Sequence, residues 1–399
     1  MARAGPALIH AGILAAAFLF NLGQGVLRPS MPLYLQRVFG ANYRMVTLIP
    51  VVFGVGKWLA SLPTGYLLSR RGRALMISGL LVIACIDVAS MATSSYGVFL
   101  GLRALGGVGW AMFATVATAA MVMPAAQRRG RAVSLLMMSE TSGLLLGSAA
   151  GGGLYQHAGV TIPFLFEAAC MVVAAVAVGR WTARAPDEAT TPQRPQHRHL
   201  LAEVLRTPGV LLIGGTNAVL IAIQTGTLVF LFPLYLFERA GVGPEAVGFL
   251  VSLSVLGRLG ALWLGGSLSD RWGRMRVLTP GLLIYAALLG SMSLLTHPML
   301  LGVWSFAIGA AAGVVAAVPT ALMSDQVQHP LQGVAIGWLR TMTDGGQIVG
   351  PLVMGFLADA IDLSAPFLFG AALLAGTAWQ CRRQAGVMSD AITVGGRDS

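Results

Sequence analysis

Nine charged side chains lie inside stretches of this chain that are otherwise apolar enough to cross a bilayer: Arg28, Lys57, Asp87, Arg103, Glu140, Glu167, Arg258, Arg340 and Asp344. A charge at mid-bilayer is costly, so such residues mark an ion or substrate pathway by default. Lys57 is 12 residues from Ser69 and Arg258 is 12 residues from Asp270, two positions where charged loops begin. At a helical rise of about 1.5 Å per residue, each lies roughly 18 Å deep. Two basic groups at that depth suit an anionic substrate group, and Arg28 is able to join them. Arg340 and Asp344 are one helical turn apart, share a face and are able to pair, and Glu140 lies at a similar depth. Burial favours a protonated carboxyl and a neighbouring Arg favours the ionised one. That competition is what a proton carrier requires, and Glu140 and Asp344 are the leading candidates.

These charges are positioned by helices that the composition demands. Of 399 residues, 56% are hydrophobic and 10% charged, against roughly 25% charged in a soluble domain. A bilayer crossing needs about 20 mostly apolar residues. Breaks at charge clusters and turn residues give twelve spans: 8–35, 45–69, 74–92, 96–122, 132–156 and 161–182, then 208–237, 245–269, 277–296, 299–323, 332–358 and 364–381. Val277–Ser324 is uncharged for 48 residues, enough for two spans with a break near His297-Pro298.

The chain repeats itself. Pro32-Leu33-Tyr34-Leu35 recurs as Pro233-Leu234-Tyr235-Leu236, and Gly56-Lys57 as Gly257-Arg258, both at an offset of 201. Gly143, Gly147 and Gly152 match Gly346, Gly350 and Gly355 at an offset of 203. One offset held over so much chain means two six-helix halves of the same topology, a parallel repeat about the membrane normal. The expected organisation is a bundle over 1–182, a cytoplasmic linker over 183–207, a second bundle over 208–383 and a cytoplasmic tail over 384–399. Pro186, Pro192 and Pro195 favour an extended linker. His199–Arg206 reads equally as a surface amphipathic helix or as plain tether.

The +11 net charge is explained by topology and not by nucleic acid. Loops after even-numbered spans, with both termini, carry 18 of the 26 basic residues, while the opposite loops carry only Arg37, Arg44 and Arg239. The positive-inside rule puts both termini in the cytoplasm. Cys85, Cys170 and Cys381 are far apart and read as small apolar residues, with neither metal spacing nor a disulfide framework.

The loop after the eighth span, Gly266–Arg274, reads GSLSDRWGR. It resembles the G-x-x-x-D-R-x-G-R signature of the major facilitator superfamily. Its counterpart Gly65–Arg73, GYLLSRRGR, matches except that Ser69 replaces the Asp. Glycines of this kind let helices approach closely. The resemblance implies a cytoplasmic gate carried by Gly266, Asp270, Arg271, Gly273 and Arg274, and in the first half by Gly65, Arg70, Gly72 and Arg73. Arg103-Ala104-Leu105-Gly106-Gly107-Val108-Gly109 is similar to the family's R-x-x-Q-G-x-G element, with Gly106 where Gln is usual, which implies a part for Arg103 in proton coupling. Gly143–Gly152 and Gly346–Gly355 are similar to the G-x-x-x-G-P-x-x-G-G element of drug–proton antiporters, with Ser148 in the proline position of the first and Pro351 present in the second. Packing alone would also justify these glycines. In the resembled fold the first and seventh spans line the cavity, which points to Asn21, Gln24, Asn217 and Gln224 as substrate contacts. Gly23 and Gly25 are expected to loosen the helix around Gln24. Phe20, Trp110 and Trp338 read as packing. Asp87 and Glu167 rank behind Glu140 and Asp344, because the third and sixth spans usually lie outside that cavity.

No metal site of the His-Glu-x-x-His type, phosphate loop or nucleophile elbow is written in the chain, so an enzyme is not expected, nor a cofactor. The reading is an all-α membrane protein of the major facilitator fold, in the inner (cytoplasmic) membrane. It is a secondary active transporter exporting a small organic solute in exchange for protons, acting as a monomer among lipids. An organic-anion uniporter, symporter or exchanger using Lys57 and Arg258 is the alternative, and a non-transporting receptor the remote one. The orientation is checked by fusions at the C-terminus. Green fluorescent protein is expected to fluoresce and alkaline phosphatase to stay inactive; the reverse pattern would overturn the assignment.

Overall fold

The computed structural model of the chain describes residues 6–122, 129–181, 197–295, 297–327 and 331–395. The linker prolines Pro186, Pro192 and Pro195 lie outside them, as do the side chains of Gly65, Ser69 and Arg70. Long helices dominate: α1 (Pro6–Phe39), α2 (Tyr43–Ala92), α3 (Tyr96–Val122), α4 (Arg129–Gly153), α5 (Ile162–Trp181), α6 (His197–Arg206) and α7 (Val210–Ala222). They continue with α8 (Phe232–Glu238), α9 (Pro244–Trp272), α10 (Arg274–Ser291), α11 (Pro298–Ala316), α12 (Val318–Gln326), α13 (Gln332–Ala360) and α14 (Ala365–Gly395). Among the described residues, eight segments are long and apolar enough to cross a membrane by length and hydropathy alone. The twelve crossings of the fold are completed by α4 and α13, which are diluted by glycine and polar residues, by the short α10, and by α14 with its charged C-terminal end.

The break expected between the second and third spans is present as a kink. The two spans are helices joined within α2 across Arg71, whose backbone is not helical (φ −142°, ψ 26°). At about 1.5 Å per residue α2 measures roughly 75 Å, more than twice a bilayer core of about 30 Å, so it crosses twice. The corresponding point between α9 and α10 is broken at Gly273, which has φ +95°, a conformation that favours glycine. The seventh crossing runs through α7, a π-helical stretch Ile223–Leu231 and α8 without a gap. The tether-or-helix question at the linker resolves as α6, which buries Val204 and packs against α7 and α13.

The chain forms two compact units, Met1–Pro192 with Leu236–Ser252, and Gln193–Tyr235 with Leu253–Ser399. In the first, α2 packs on α3 and α5, and α1 on α4 and α5. Phe20, Met76, Leu80, Phe113, Met121 and Met171 form part of its core, with the Phe20 and Phe113 rings stacked at 4.7 Å. The segment Leu236–Ser252 is tied to this unit by polar contacts. Glu238 accepts hydrogen bonds from Gln36 and Tyr43, and His157 Nε2 lies 2.9 Å from Glu245 Oε2. In the second unit, α10 packs on α14 and α11, and α7 on α13.

Glycine sets how closely the helices approach, and it does so alike in both units. A Cβ added at Gly107 would lie 2.0 Å from the Phe53 carbonyl oxygen, and one at Gly309 would lie 1.9 Å from that of Ser254. These are the repeat-related crossings of the Lys57 and Arg258 helices. The expectation that Gly23 and Gly25 loosen α1 is corrected: α1 is continuous there, and both glycines serve contact. Gly25 abuts the Leu144 carbonyl, and Gly23 abuts Glu167. Gly107→Ala and Gly309→Ala must therefore push two backbones apart, at about 1–3 kcal/mol each for overpacking. Both are expected to lower the thermal midpoint of the purified protein, whereas Gly101→Ala, at a site with no atom within 4 Å, is expected to leave it unchanged. Equal midpoints for all three would refute the account.

Candidate functional site

The first unit buries a polar cluster on four helix segments. Arg103 on α3 donates through Nη2 to Asp87 Oδ1 at 2.9 Å and to Ser90 Oγ at 2.7 Å, both on the second arm of α2. The Glu167 carboxyl on α5 lies within hydrogen-bonding reach of the Asp87 carboxyl. Gln24 on α1 donates through Nε2 to Glu167 Oε1. Asp87 and Glu167 are 0% exposed and Arg103 is 8% exposed. The guanidinium of Arg103 sits 5.3 Å from the Phe99 ring and 5.7 Å from the Phe164 ring, within cation–π range. The sequence singles out Arg103 and Gln24 but gives them separate roles. The structure joins them through two carboxylates ranked second in the sequence reading.

Elsewhere in this unit Lys57 is 7% exposed, with Nζ 5.1 Å from the Trp110 ring centroid. Gly56 and Gly107 bring the two helices together at this level. Arg28 is half-buried on α1, and Asn21 donates to the Ala17 carbonyl of its own helix at 3.0 Å. Glu140 is half-buried on α4.

In the second unit, Arg258, Asn217, Gln224 and Tyr285 line one small cavity of about 50 Å³, with Leu220, Ile221, Ala312 and Ala316 as its apolar walls. That volume has room for water-sized occupants. Asn217 Nδ2 also donates to Thr343 Oγ1 at 2.7 Å. Gln224 belongs to the π-helical stretch Ile223–Leu231, and π-helical turns are frequent at functional sites. On α13, Asp344 is half-buried, while Arg340 is exposed and forms no ion pair among the described residues.

The gate motif of the second unit forms a local network. Arg274 pairs with Asp270, donates through Nε to Asp325 Oδ2 at 2.9 Å and through Nη1 to Ser269 Oγ at 2.8 Å. Asp325, at the end of α12, was not singled out by the sequence reading. Its signal is that it is the first charge after the uncharged stretch Val277–Ser324. Gly266 has open space around it, and its neighbour Gly265 is the residue that abuts Val314. Arg271 is exposed beside Asp270. In the first unit Arg73 donates to the Gly179 carbonyl at the end of α5, with Gly72 buried beside it. Gly65 and Arg70 fall outside the described side chains. The two antiporter-like glycine elements do pack helices: Gly143 and Gly147 abut Phe18 and Leu22, and Gly346 and Gly350 abut Ala218 and Ala222.

Comparison with known proteins gives a consistent result. The Major Facilitator Superfamily profile matches residues 13–243 and, separately, 214–381. The chain is 25% identical to the Multidrug resistance protein MdtG of Escherichia coli over 367 residues, 90% of this chain and 89% of that protein. Among solved structures, the nucleoside transporter NupG superposes with a TM-score of 0.77 at 12% identity, covering 94% of this chain and 98% of NupG. A bacterial homolog of the human lysosomal transporter Spinster superposes with a TM-score of 0.75 at 14% identity, covering 97% of each chain. Identities this low speak to the fold alone. The profile match spans most of the residues on which both units are built, so this chain belongs to the Major Facilitator Superfamily and is a multi-pass membrane transporter, not an enzyme.

Proposed function

We propose that this transporter exports small organic solutes from the cell in exchange for protons, by alternating access across the inner membrane. The carrying observation is the similarity to MdtG, a multidrug resistance protein, over about nine-tenths of both chains. Carboxyl groups inside the crossings support the proton as the coupling ion, since a group kept at such a position needs a use. Glu140 on α4 and Asp344 on α13 are half-buried on repeat-related helices and are assigned the proton that exchanges with substrate. Arg274 with Asp270 and Asp325 is assigned to the cytoplasmic gate. Both termini lie in the cytoplasm, and one chain suffices for transport.

A second reading is favoured by one specific feature. Arg258 shares its cavity with Asn217 and Gln224, a donor-rich lining suited to an anionic group, and Lys57 is its repeat-related partner in sequence. In that reading the substrate is an organic anion.

Proteoliposomes separate the two. With ethidium inside and an acidic medium outside, the wild-type protein is expected to accelerate ethidium efflux, and the double variant Glu140→Gln/Asp344→Asn to lose at least tenfold of that acceleration. An unchanged acceleration in the double variant would contradict the export assignment. Flux of an anionic dye, abolished by Lys57→Ala and Arg258→Ala and indifferent to the pH gradient, would establish the second reading in its place.

A further inference from the structure

The Asp87–Glu167 pair has one hydrogen too few. Asp87 Oδ1 is taken by Arg103, and Glu167 Oε1 by Gln24. The remaining oxygens, Asp87 Oδ2 and Glu167 Oε2, are buried and have no donor among the described residues. Yet the two carboxyl groups are within hydrogen-bonding reach of each other. Two carboxylates offer only acceptors, so their contact is repulsive unless one of them carries a proton. A single proton completes the cluster: the hydroxyl on one group donates to the other, and the remaining negative charge balances Arg103. With no proton the buried cluster carries a net negative charge, which the membrane interior penalises. With two protons Arg103 loses its counter-charge.

The other ionisable groups facing the pair are few. Tyr34 on α1 donates to the Ser90 carbonyl at 3.4 Å and feels the charge of Arg103. Cys170 on α5 feels that of Glu167. Neither is a cation, and the ion pair made with the two acids is that of Arg103 with Asp87.

The fold itself does not require these charges. The second half builds its counterparts of the third and fourth spans from Val277–Ser324, without one Asp, Glu, Lys or Arg, and the Ala365–Gln380 part of its last helix is likewise uncharged. A bundle of the same topology therefore packs with apolar residues where the first unit buries three charges. Gly23 adds a second sign of accommodation, since a Cβ there would lie 3.0 Å from Glu167 Cγ. The cluster lies five residues from the helix ends at Ala92 and Ile162 and seven from Tyr96, about 7–11 Å along the helix axes. In the inferred topology this is the outer side of the membrane, from which an exporter's protons arrive.

We propose that Asp87 and Glu167 share one proton and that this buried pair takes it up and gives it up as the transporter cycles, a proton-binding site additional to Glu140 and Asp344. The cycling part rests on the proton-driven export reading; the shared proton rests on the geometry alone. The test uses the full-length protein in lipid nanodiscs and proteoliposomes. Infrared spectra at neutral pH are expected to show a deuterium-sensitive protonated-carboxyl C=O band that vanishes as the pH is raised. Glu167→Gln, which has the shape of the protonated acid, is expected to remove that band, because Asp87 then pairs with Arg103 as a simple carboxylate. The same variant is expected to keep ethidium–ethidium exchange but to lose at least tenfold of the acceleration by an acidic exterior. Absence of the band in the wild-type protein, a reading that needs no variant to fold, would overturn the shared proton, as would its persistence in Glu167→Gln. Full pH-driven efflux by Glu167→Gln would overturn the cycling role. If the band is present but wild-type efflux ignores the pH gradient, the export reading has failed and the shared proton stands.

Discussion

A charge carried on a membrane-crossing helix must be matched inside the protein, and this requirement orders the rest of the structure. Hydrocarbon supplies neither counter-ion nor water, so Arg103 needs Asp87, and Glu167 needs Gln24. Such contacts form only if four helix segments from α1, α2, α3 and α5 meet at the same level. Gly23, with Gly25 on the other partner of α1, admits the close approach that lets α1 touch both α5 and α4. Small residues thus set the distances at which buried charges meet, and the repeated helix frame holds those distances fixed.

The two halves share the frame and divide the chemistry. Their repeat-related crossings are made by the same device, glycine against a neighbouring carbonyl, at Gly107 and at Gly309. Their polar contents differ. The first unit has an acid pair and an Arg sealed from solvent, while the second has Arg258 in a small cavity beside Asn217, Gln224 and Tyr285. The motif loops differ as well, since the helix breaks at Gly273 with a positive φ in the second half and at the non-helical Arg71 in the first. Duplication explains the topology, and divergence of a few buried residues is enough to give each half its own polar interior.

Much of this was legible in the sequence because the signals are local. Hydropathy windows, arginine placement and the repeat offset depend on near neighbours in the chain, and they lead to the family and the fold. The charged residues inside the crossings are legible for the same reason. Their partners are not, because Gln24 and Glu167 are 143 residues apart and helical periodicity says nothing of which faces meet. Hence the contact of Gln24 with Glu167 is not foreseen, and Asp325 goes unnoticed although it binds Arg274. The π-helical stretch at Gln224 was also hidden, since no glycine or proline pattern distinguishes Ile223–Leu231 from an ordinary turn of helix.

The central claim is that movement of an organic solute one way drives protons the other way. Its most direct test is the pH inside sealed proteoliposomes that start with no pH gradient and hold a trapped pH dye. An outward ethidium gradient is predicted to acidify the lumen as ethidium leaves, and dissipating the ethidium gradient to end the change. Ethidium efflux at the same rate with a constant internal pH, or with an alkaline shift, would contradict the account.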